Sequence, residues 1–333
     1  MNMDELDKRI LTAIQGGLPA EERPFDALAT RLGVGHEEVL SRVRRLADDG
    51  LLRRLGPVFD SRGLGYVSTL VAARVPPARL AEVAARVSRL AGVTHNYERR
   101  HAYNLWFTLT CPSAPELDRT LEFLRRETGI ADFHSLPALA VYKIRVQFDL
   151  AGEPEAIEET GGRPSASPAV LTDEQKELVR LLQADLPAER EPFAAAAARL
   201  GWPTARVVGQ VRAWIESGVI RRLGAVVRHR QLGFAANGMA VFRVPPEAVD
   251  AAGRRLAARA EVSHCYRRPP LPDFPYDLFA MVHGRSEDEV RRTVAAMAQE
   301  IGRPDYDVLF SVTEFKKTSM RYFEQSAGNG DLA

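Results

Sequence analysis

Leu6, Ile10, Leu11 and Ile14 recur at helical spacing near the start of the chain. Two shorter amphipathic stretches follow around Gly33, Phe25-Asp26-Ala27-Leu28-Ala29 and Val39-Val43-Leu46. This order predicts a helix-turn-helix. An extended run from Leu51 to Phe59, then Ser61-Arg62-Gly63 and a second extended run, predict the β-hairpin wing of a winged helix. The pattern then changes to strand Ser68 to Val75, helix Pro77 to Leu90, strand Val93 to Arg99, strand Tyr103 to Cys111, helix Pro115 to Glu127 and strand Phe133 to Arg145. That β-α-β-β-α-β order is the ferredoxin-like arrangement. Pro76-Pro77 and Ser113-Ala114-Pro115 suit helix starts, and Gly92 and Gly129 suit helix ends.

The whole pattern is written twice. Leu18-Pro19-Ala20-Glu21 returns as Leu186-Pro187-Ala188-Glu189, and Arg53-Arg54-Leu55-Gly56 as Arg221-Arg222-Leu223-Gly224, both at an offset of 168 (186 − 18 and 221 − 53). The fold class expected is α+β, two tandem repeats of a winged helix followed by a ferredoxin-like domain. The divisions fall at 1–66 and 67–150 for the first copy and 171–236 and 237–323 for the second. Residues 151–170, acidic and then rich in Gly, Pro and Ser, predict a linker, and 324–333 a flexible tail.

Composition narrows the function. The 333 residues carry a net charge of +1, from 45 Lys+Arg against 44 Asp+Glu, so no overall field draws the chain to nucleic acid, and a DNA-binding role must rest on local features. Cys111 and Cys265 stand at non-equivalent points of the repeats, which argues against a disulfide framework, fits a reducing cytosol and offers no cysteine metal site. A charged N-terminus and the lack of a long apolar run predict a cytoplasmic protein without membrane partners.

Candidate chemistry lies in the second ferredoxin-like strand of each copy. Thr94-His95-Asn96-Tyr97-Glu98-Arg99 answers Ser263-His264-Cys265-Tyr266-Arg267-Arg268, so His, Tyr and Arg recur at the same spacing. Alternation along a strand puts His95, Tyr97 and Arg99 on one face, and likewise His264, Tyr266 and Arg268, each triplet spanning roughly 13 Å. That breadth suits a wide flat ligand better than an amino acid. Taken alone, each His and Tyr also fits a half-buried sheet position with a satisfied polar tip.

The winged-helix and ferredoxin-like pairing resembles the Lrp/AsnC regulators. The segments Gly92 to Arg99 with Tyr103-Asn104-Leu105-Trp106-Phe107, and Val262 to Pro269 with Phe274-Pro275-Tyr276-Asp277-Leu278-Phe279, resemble the siroheme decarboxylases more specifically. Both subunit forms of that family, His-Asn-Tyr and His-Cys-Tyr with a proline-rich loop, stand here in one chain, as in a natural fusion. The resemblance implies removal of carbon dioxide from the acetate arms on rings C and D of siroheme, giving didecarboxysiroheme, with no cofactor required because the iron belongs to the substrate. It also implies a pseudo-dimer of the two copies within one chain, with higher homo-oligomers open.

For such a substrate Arg99 and Arg268 suit bidentate carboxylate binding. His95 and His264 suit proton donation to the methylene left by carbon dioxide, or ligation of the siroheme iron by one of them. Tyr97 and Tyr266 suit stacking or proton relay. Arg100, His101, Arg267, Tyr103 and Tyr276 are further candidates for substrate binding beside the triplets. Lys143 and Lys316, matched at offset 173 (316 − 143), could meet outlying carboxylates from the end of the last strand.

Two rivals remain, a DNA-binding regulator of the leucine-responsive type and a tetrapyrrole sensor without catalysis. The candidate reading helices are mixed in charge, with His36-Glu37-Glu38 opening the first and Arg206, Gln210 and Arg212 among apolar residues in the second. The basic runs Arg53-Arg54 and Arg228-His229-Arg230 keep DNA in consideration, although specific DNA binding is not expected.

Overall fold

The computed structural model describes residues 3–144, 168–227 and 236–324. The expected linker and tail, and the run Arg228-His229-Arg230, lie almost wholly outside them.

Three helices, α1 (Glu5–Gly16), α2 (Pro24–Leu32) and α3 (His36–Asp48), open the first half, and Gly33 ends α2 in the left-handed conformation. Strand β1 (Leu52–Phe59) follows. Then come β2 (Val67–Ala73), α4 (Leu80–Arg89), β3 (Val93–Arg99), β4 (Leu105–Cys111), α5 (Ala114–Thr128), β5 (Phe133–Pro137) and β6 (Ala140–Ile144). The second half repeats the order as α6 (Asp173–Leu182), α7 (Ala194–Leu200), α8 (Thr204–Glu216), β7 (Ile220–Val227), β8 (Ala236–Phe242), α9 (Val249–Ala257), β9 (Val262–Arg267), β10 (Leu278–Gly284), α10 (Glu287–Glu300) and β11 (Tyr306–Lys317).

Two expectations are corrected. Among the described residues no wing hairpin forms within a copy. Instead β1 pairs antiparallel with β7 of the other half, with Gly56 opposite Gly224, and the run after Ser61-Arg62-Gly63 becomes the first strand of the ferredoxin-like sheet. The repeat offset makes Gly56 and Gly224 equivalent (224 − 56 = 168), so this pair marks a pseudo-two-fold axis. Leu18 N–H donates to Leu223 O and Leu186 N–H to Leu55 O, the same bond seen from either side. Both helix-turn-helix units thus share one apolar core, which also takes in Tyr322 from beyond β11.

The last predicted strand, Phe133 to Arg145, is broken. Its first part, β5, pairs with β2, while β6 crosses to β9 of the second half. Strand β11 does the same without a break, pairing with β8 up to Phe310 and with β3 from Ser311. The physical reason lies in the strand order. A lone sheet β5-β2-β4-β3 would expose the edge of β3, and the exchanged strand covers it. In the full order, β5-β2-β4-β3-β11-β8-β10-β9-β6, the two outer strands are separated in the chain only by Ala138 and Leu139, so the sheet closes on itself as a barrel. Trp106, Phe274, Phe279 and Leu309 fill its inner face, and the helices pack outside over separate cores.

Gly224 is required by a close approach, because a Cβ there would lie 2.4 Å from the backbone oxygen of Ile14 in α1. Gly224→Ala is therefore expected to lower stability by roughly 1–3 kcal/mol, read as a lower denaturant midpoint by Trp214 fluorescence. Gly209→Ala, within α8 and with open space around it, should be neutral or stabilising by up to about 1 kcal/mol. Equal effects at the two positions would contradict the packing described.

Candidate active site

Asn96 anchors the first triplet by pointing outward. Its amide donates to Ala84 O and Ser88 Oγ, both at 3.0 Å, on the helical side of β3. Alternation then turns His95, Tyr97 and Arg99 toward the barrel's inner face, where Tyr97 stands opposite the inner residue Trp106. The His95 and Tyr97 rings lie 6.3 Å apart and 28° from parallel, and the Arg99 guanidinium sits 5.6 Å from the Tyr97 centroid. In the second half Cys265 turns outward, its Sγ 3.7 Å from Gly253 O. His264 and Tyr266 lie 6.1 Å apart at 23°, with Arg268 4.8 Å over Tyr266. Two matching rows result.

Each row ends on a buried arginine tied to the other half. Arg99 donates to Leu309 O at 2.8 Å and Arg268 donates to Leu136 O, and these two leucines are equivalent (309 − 136 = 173). Burial pulls both guanidinium groups down to about 10. The buried Nε of each meets no hydrogen-bond acceptor among the described residues, and no described carboxylate pairs with either. A buried cation without an anion is costly in a structural role, and it fits a group that receives an anionic ligand.

Surrounding charge reinforces that bias. Burial, followed by the positive charges of Arg53 and Lys317, pushes His95 down to about 4, so its imidazole is neutral near pH 7. Around the second row, Arg268, Arg221 and Arg62 all act on Tyr266, whose hydroxyl is raised first by burial. The rows differ at one point. Tyr97 OH donates to Glu314 Oε2 at 3.3 Å, whereas the residue opposite Tyr266 is Val141. Arg53, Arg62, Arg221, Lys317 and Glu314 were not among the residues expected at the site. The repeated Arg53-Arg54 and Arg221-Arg222 pairs were visible in the sequence, but not that the charge of Arg53 would act on His95 and that of Arg221, itself paired with Asp60 at 2.7 Å, on Tyr266.

Other expected binding residues scatter. His101 and Tyr103 stack at 6.1 Å and 12°, and Phe274 from the second half's proline-rich loop packs edge-on against both. Tyr103 OH donates to Asp273 at 2.7 Å and is pushed up to about 12, chiefly by burial; Tyr276 packs on Phe274. This cluster joins the two halves inside the barrel. Arg100 is turned away, its exposed guanidinium paired with Glu287 at 3.1 Å. Arg267 follows Tyr266 on the opposite face, where its charge acts on Tyr142 and Asp277.

The lysines correct the sequence expectation. Lys143 donates to Arg259 O at 2.6 Å, and Lys316 to Ser88 O at 2.8 Å and Leu90 O at 3.0 Å. Each caps the C-terminal end of a helix in the opposite half, outside the barrel, because a register irregularity on β6 and on β11 sets it beside the outward Cys265 or Asn96. It is the neighbouring Lys317 that stands opposite His95.

The helices expected to read DNA are engaged within the protein. Arg42 pairs with Asp4, Asp7 and Glu38, and Arg45 with Asp7. Arg44 donates to Ala188 O and Arg212 to Ala20 O, equivalent bonds that fix each helix against the other half. Arg206 lies 3.8 Å over Trp202. Among the described residues no helix is long and apolar enough to cross a membrane, and no group of three or more His, Cys, Asp or Glu could hold a metal ion.

A barrel built from two halves, with paired inward rows of His, Tyr and Arg, defines a doubled ligand-binding fold of the AsnC type. The chain matches the AsnC-like ligand binding domain over residues 63–143 and 231–316, and the siroheme decarboxylase NirDL-like HTH domain over 7–53 and 175–221. It is 37% identical to a siroheme decarboxylase of Hydrogenobacter thermophilus across 97% of this chain and 96% of that protein. It is also 38% identical to the siroheme decarboxylase NirDL subunit of Paracoccus denitrificans across 98% and 100%. The crystal structure of the siroheme decarboxylase NirDL in co-complex with an iron-uroporphyrin III analogue superposes with a TM-score of 0.76 at 35% identity, covering 96% of this chain and 95% of that one. The chain belongs to the siroheme decarboxylase family, in its fused NirDL form.

His95 and His283 are both held near 4 by burial, below the ordinary histidine value of 6.5. The unfolded chain then binds more protons between pH 6.5 and about 4, so stability should be lost as pH falls through that window. His95→Asn is expected to flatten this loss in denaturation curves taken at pH 7 and pH 4.5. An unchanged pH slope would show that His95 is not held neutral.

Proposed function

We propose that this protein removes carbon dioxide from the two acetate side chains on rings C and D of siroheme, giving didecarboxysiroheme, as a carbon–carbon lyase. The observation that carries the proposal is the pair of buried, anion-free arginines closing two aromatic rows, in a chain whose full-length relatives are siroheme decarboxylases. A flat macrocycle edged with carboxylates complements such an arrangement. Arg99 and Arg268 would hold carboxylates, with Arg53, Arg62, Arg221 and Lys317 adding long-range attraction.

At each arm the bond between the methylene and the carboxylate carbon breaks, carbon dioxide leaves, and the electron pair stays on the methylene. One proton then converts that methylene to methyl. A cationic rim would hold the acetate before cleavage, and a histidine aimed at the arm would supply the proton. His95, kept neutral by burial, has the form in which imidazole meets iron, and its Nδ1 is steadied by Thr94 Oγ1 at 3.0 Å. These observations favour the iron-facing role for His95 over proton donation. Against the regulator, Arg42 and Arg44 of α3 and Arg212 of α8 are engaged internally.

Anaerobic incubation with siroheme, followed by mass analysis, should show two successive losses of carbon dioxide per macrocycle; unchanged siroheme would refute the proposal. Arg99→Ala and Arg268→Ala should each weaken binding and turnover, by about 1.5–3 kcal/mol. His264→Ala should lower turnover by roughly two to four orders of magnitude with little loss of affinity. By contrast, His95→Ala should alter the Soret band of the bound tetrapyrrole. A defined DNA footprint persisting at physiological salt would restore the regulator, because phosphate contacts alone give weak, salt-sensitive binding.

A further inference from the structure

The two histidines rest on different supports. His95 Nδ1 meets Thr94 Oγ1 at 3.0 Å, which meets Thr108 Oγ1 at 2.8 Å, and Thr108 in turn accepts the His95 backbone N–H at 3.2 Å. That chain runs through hydroxyl groups. In the second half His264 Nδ1 meets Ser263 Oγ at 3.0 Å, and the same oxygen lies 2.7 Å from Nε2 of His283 on β10. This chain reaches a second imidazole. Register makes Thr110 the first-half counterpart of His283, since Ser68 faces Thr110 where Asn237 faces His283. The imidazole therefore has no equivalent behind His95.

We propose that Ser263 and His283 form a proton relay that recharges His264, which makes the second-half row the one that protonates the substrate methylene. The proposal rests on the siroheme decarboxylase assignment. A serine hydroxyl carries one proton, so Ser263, whose oxygen also lies 3.4 Å from Met281 O, relays in the two arrangements in which it donates to one imidazole while accepting from the other. When His283 Nε2–H donates to Ser263 and Ser263 donates to His264 Nδ1, the His264 proton lies on Nε2, the position from which the proposed transfer starts. Transfer from Nε2 to the methylene is balanced by Ser263 passing its proton to Nδ1 and His283 passing its own to Ser263. One proton taken up by His283 from water completes the balance, and His283 ends neutral. Burial of His283, with the field of Lys317 adding to it, keeps it from storing that proton, which favours passing it on. His283 is thus a positioning and relay residue, and His264 is the donor.

The test uses the full chain with siroheme under anaerobic conditions, reading product by mass and affinity by Soret titration. His283→Gln keeps a hydrogen-bond donor beside Ser263 but cannot relay, and Ser263→Ala cuts the chain. Both should lower turnover at least about tenfold with affinity changed less than twofold. Ser263→Thr restores a hydroxyl and should recover most of the rate. Parental turnover in His283→Gln would overturn the relay while leaving the decarboxylase assignment intact. Parallel loss of affinity and turnover would mark His283 as structural and overturn it equally. Should His283→Gln fail to fold, Ser263→Ala against Ser263→Thr decides the question, equal rates overturning the relay. Absence of turnover in the parental protein would refute the assignment itself.

Discussion

Strand exchange is the constraint on which the rest of the molecule depends. A four-stranded ferredoxin-like sheet leaves its β3 or β9 edge open, with a row of unpaired backbone groups that water or another strand must satisfy. Here the last strand of each half leaves its own sheet midway and satisfies that edge in the other. Closing the barrel this way puts both triplets against foreign residues. Arg99 meets a carbonyl of β11, Arg268 meets one of β5, and Lys317 comes to stand opposite His95. Neither row could be assembled from one half alone.

Much of this was legible in the sequence, because local pattern and repetition report local structure directly. The repeat offset, the helix-turn-helix, the helices capped near Gly33 and Gly129 and the shared face of His, Tyr and Arg all follow from periodicity. What escaped were pairings between distant segments. A strand reads the same whichever partner it takes, so the run from Leu51 to Phe59 gave no sign that it would pair with its own repeat. The continuous pattern from Phe133 to Arg145 likewise hid the break at Ala138 and Leu139. Lys143 and Lys316 were misjudged for a related reason. A register irregularity beside each one turns it to the helical side of the sheet, and alternation counted along one strand cannot reveal that.

The halves differ at positions flanking the rows. Thr110 stands where His283 does, Val141 where Glu314 does, and Ile144 where Lys317 does, each pair at the shared offset of 173. A symmetric dimer would repeat one choice at both rows. Joining the halves in a single chain removes that restriction, so the two rows can differ in chemistry while the surrounding barrel stays nearly symmetric.

Arg23 and Glu191 form an ion pair across the halves, 2.7 Å long, and 191 − 23 is 168. These are the same position of the repeat, lying close to the pseudo-two-fold axis. Two first halves brought together in the same way would oppose arginine with arginine, and two second halves would oppose glutamate with glutamate. An exposed pair of this kind is worth only about 0–1 kcal/mol, with repulsion of similar size against each mismatch. Such a difference does little to hold the chain together, yet it penalises both like-with-like assemblies. The junction therefore carries its own rule for matching unlike partners, a rule that would still operate if the two halves were made as separate proteins.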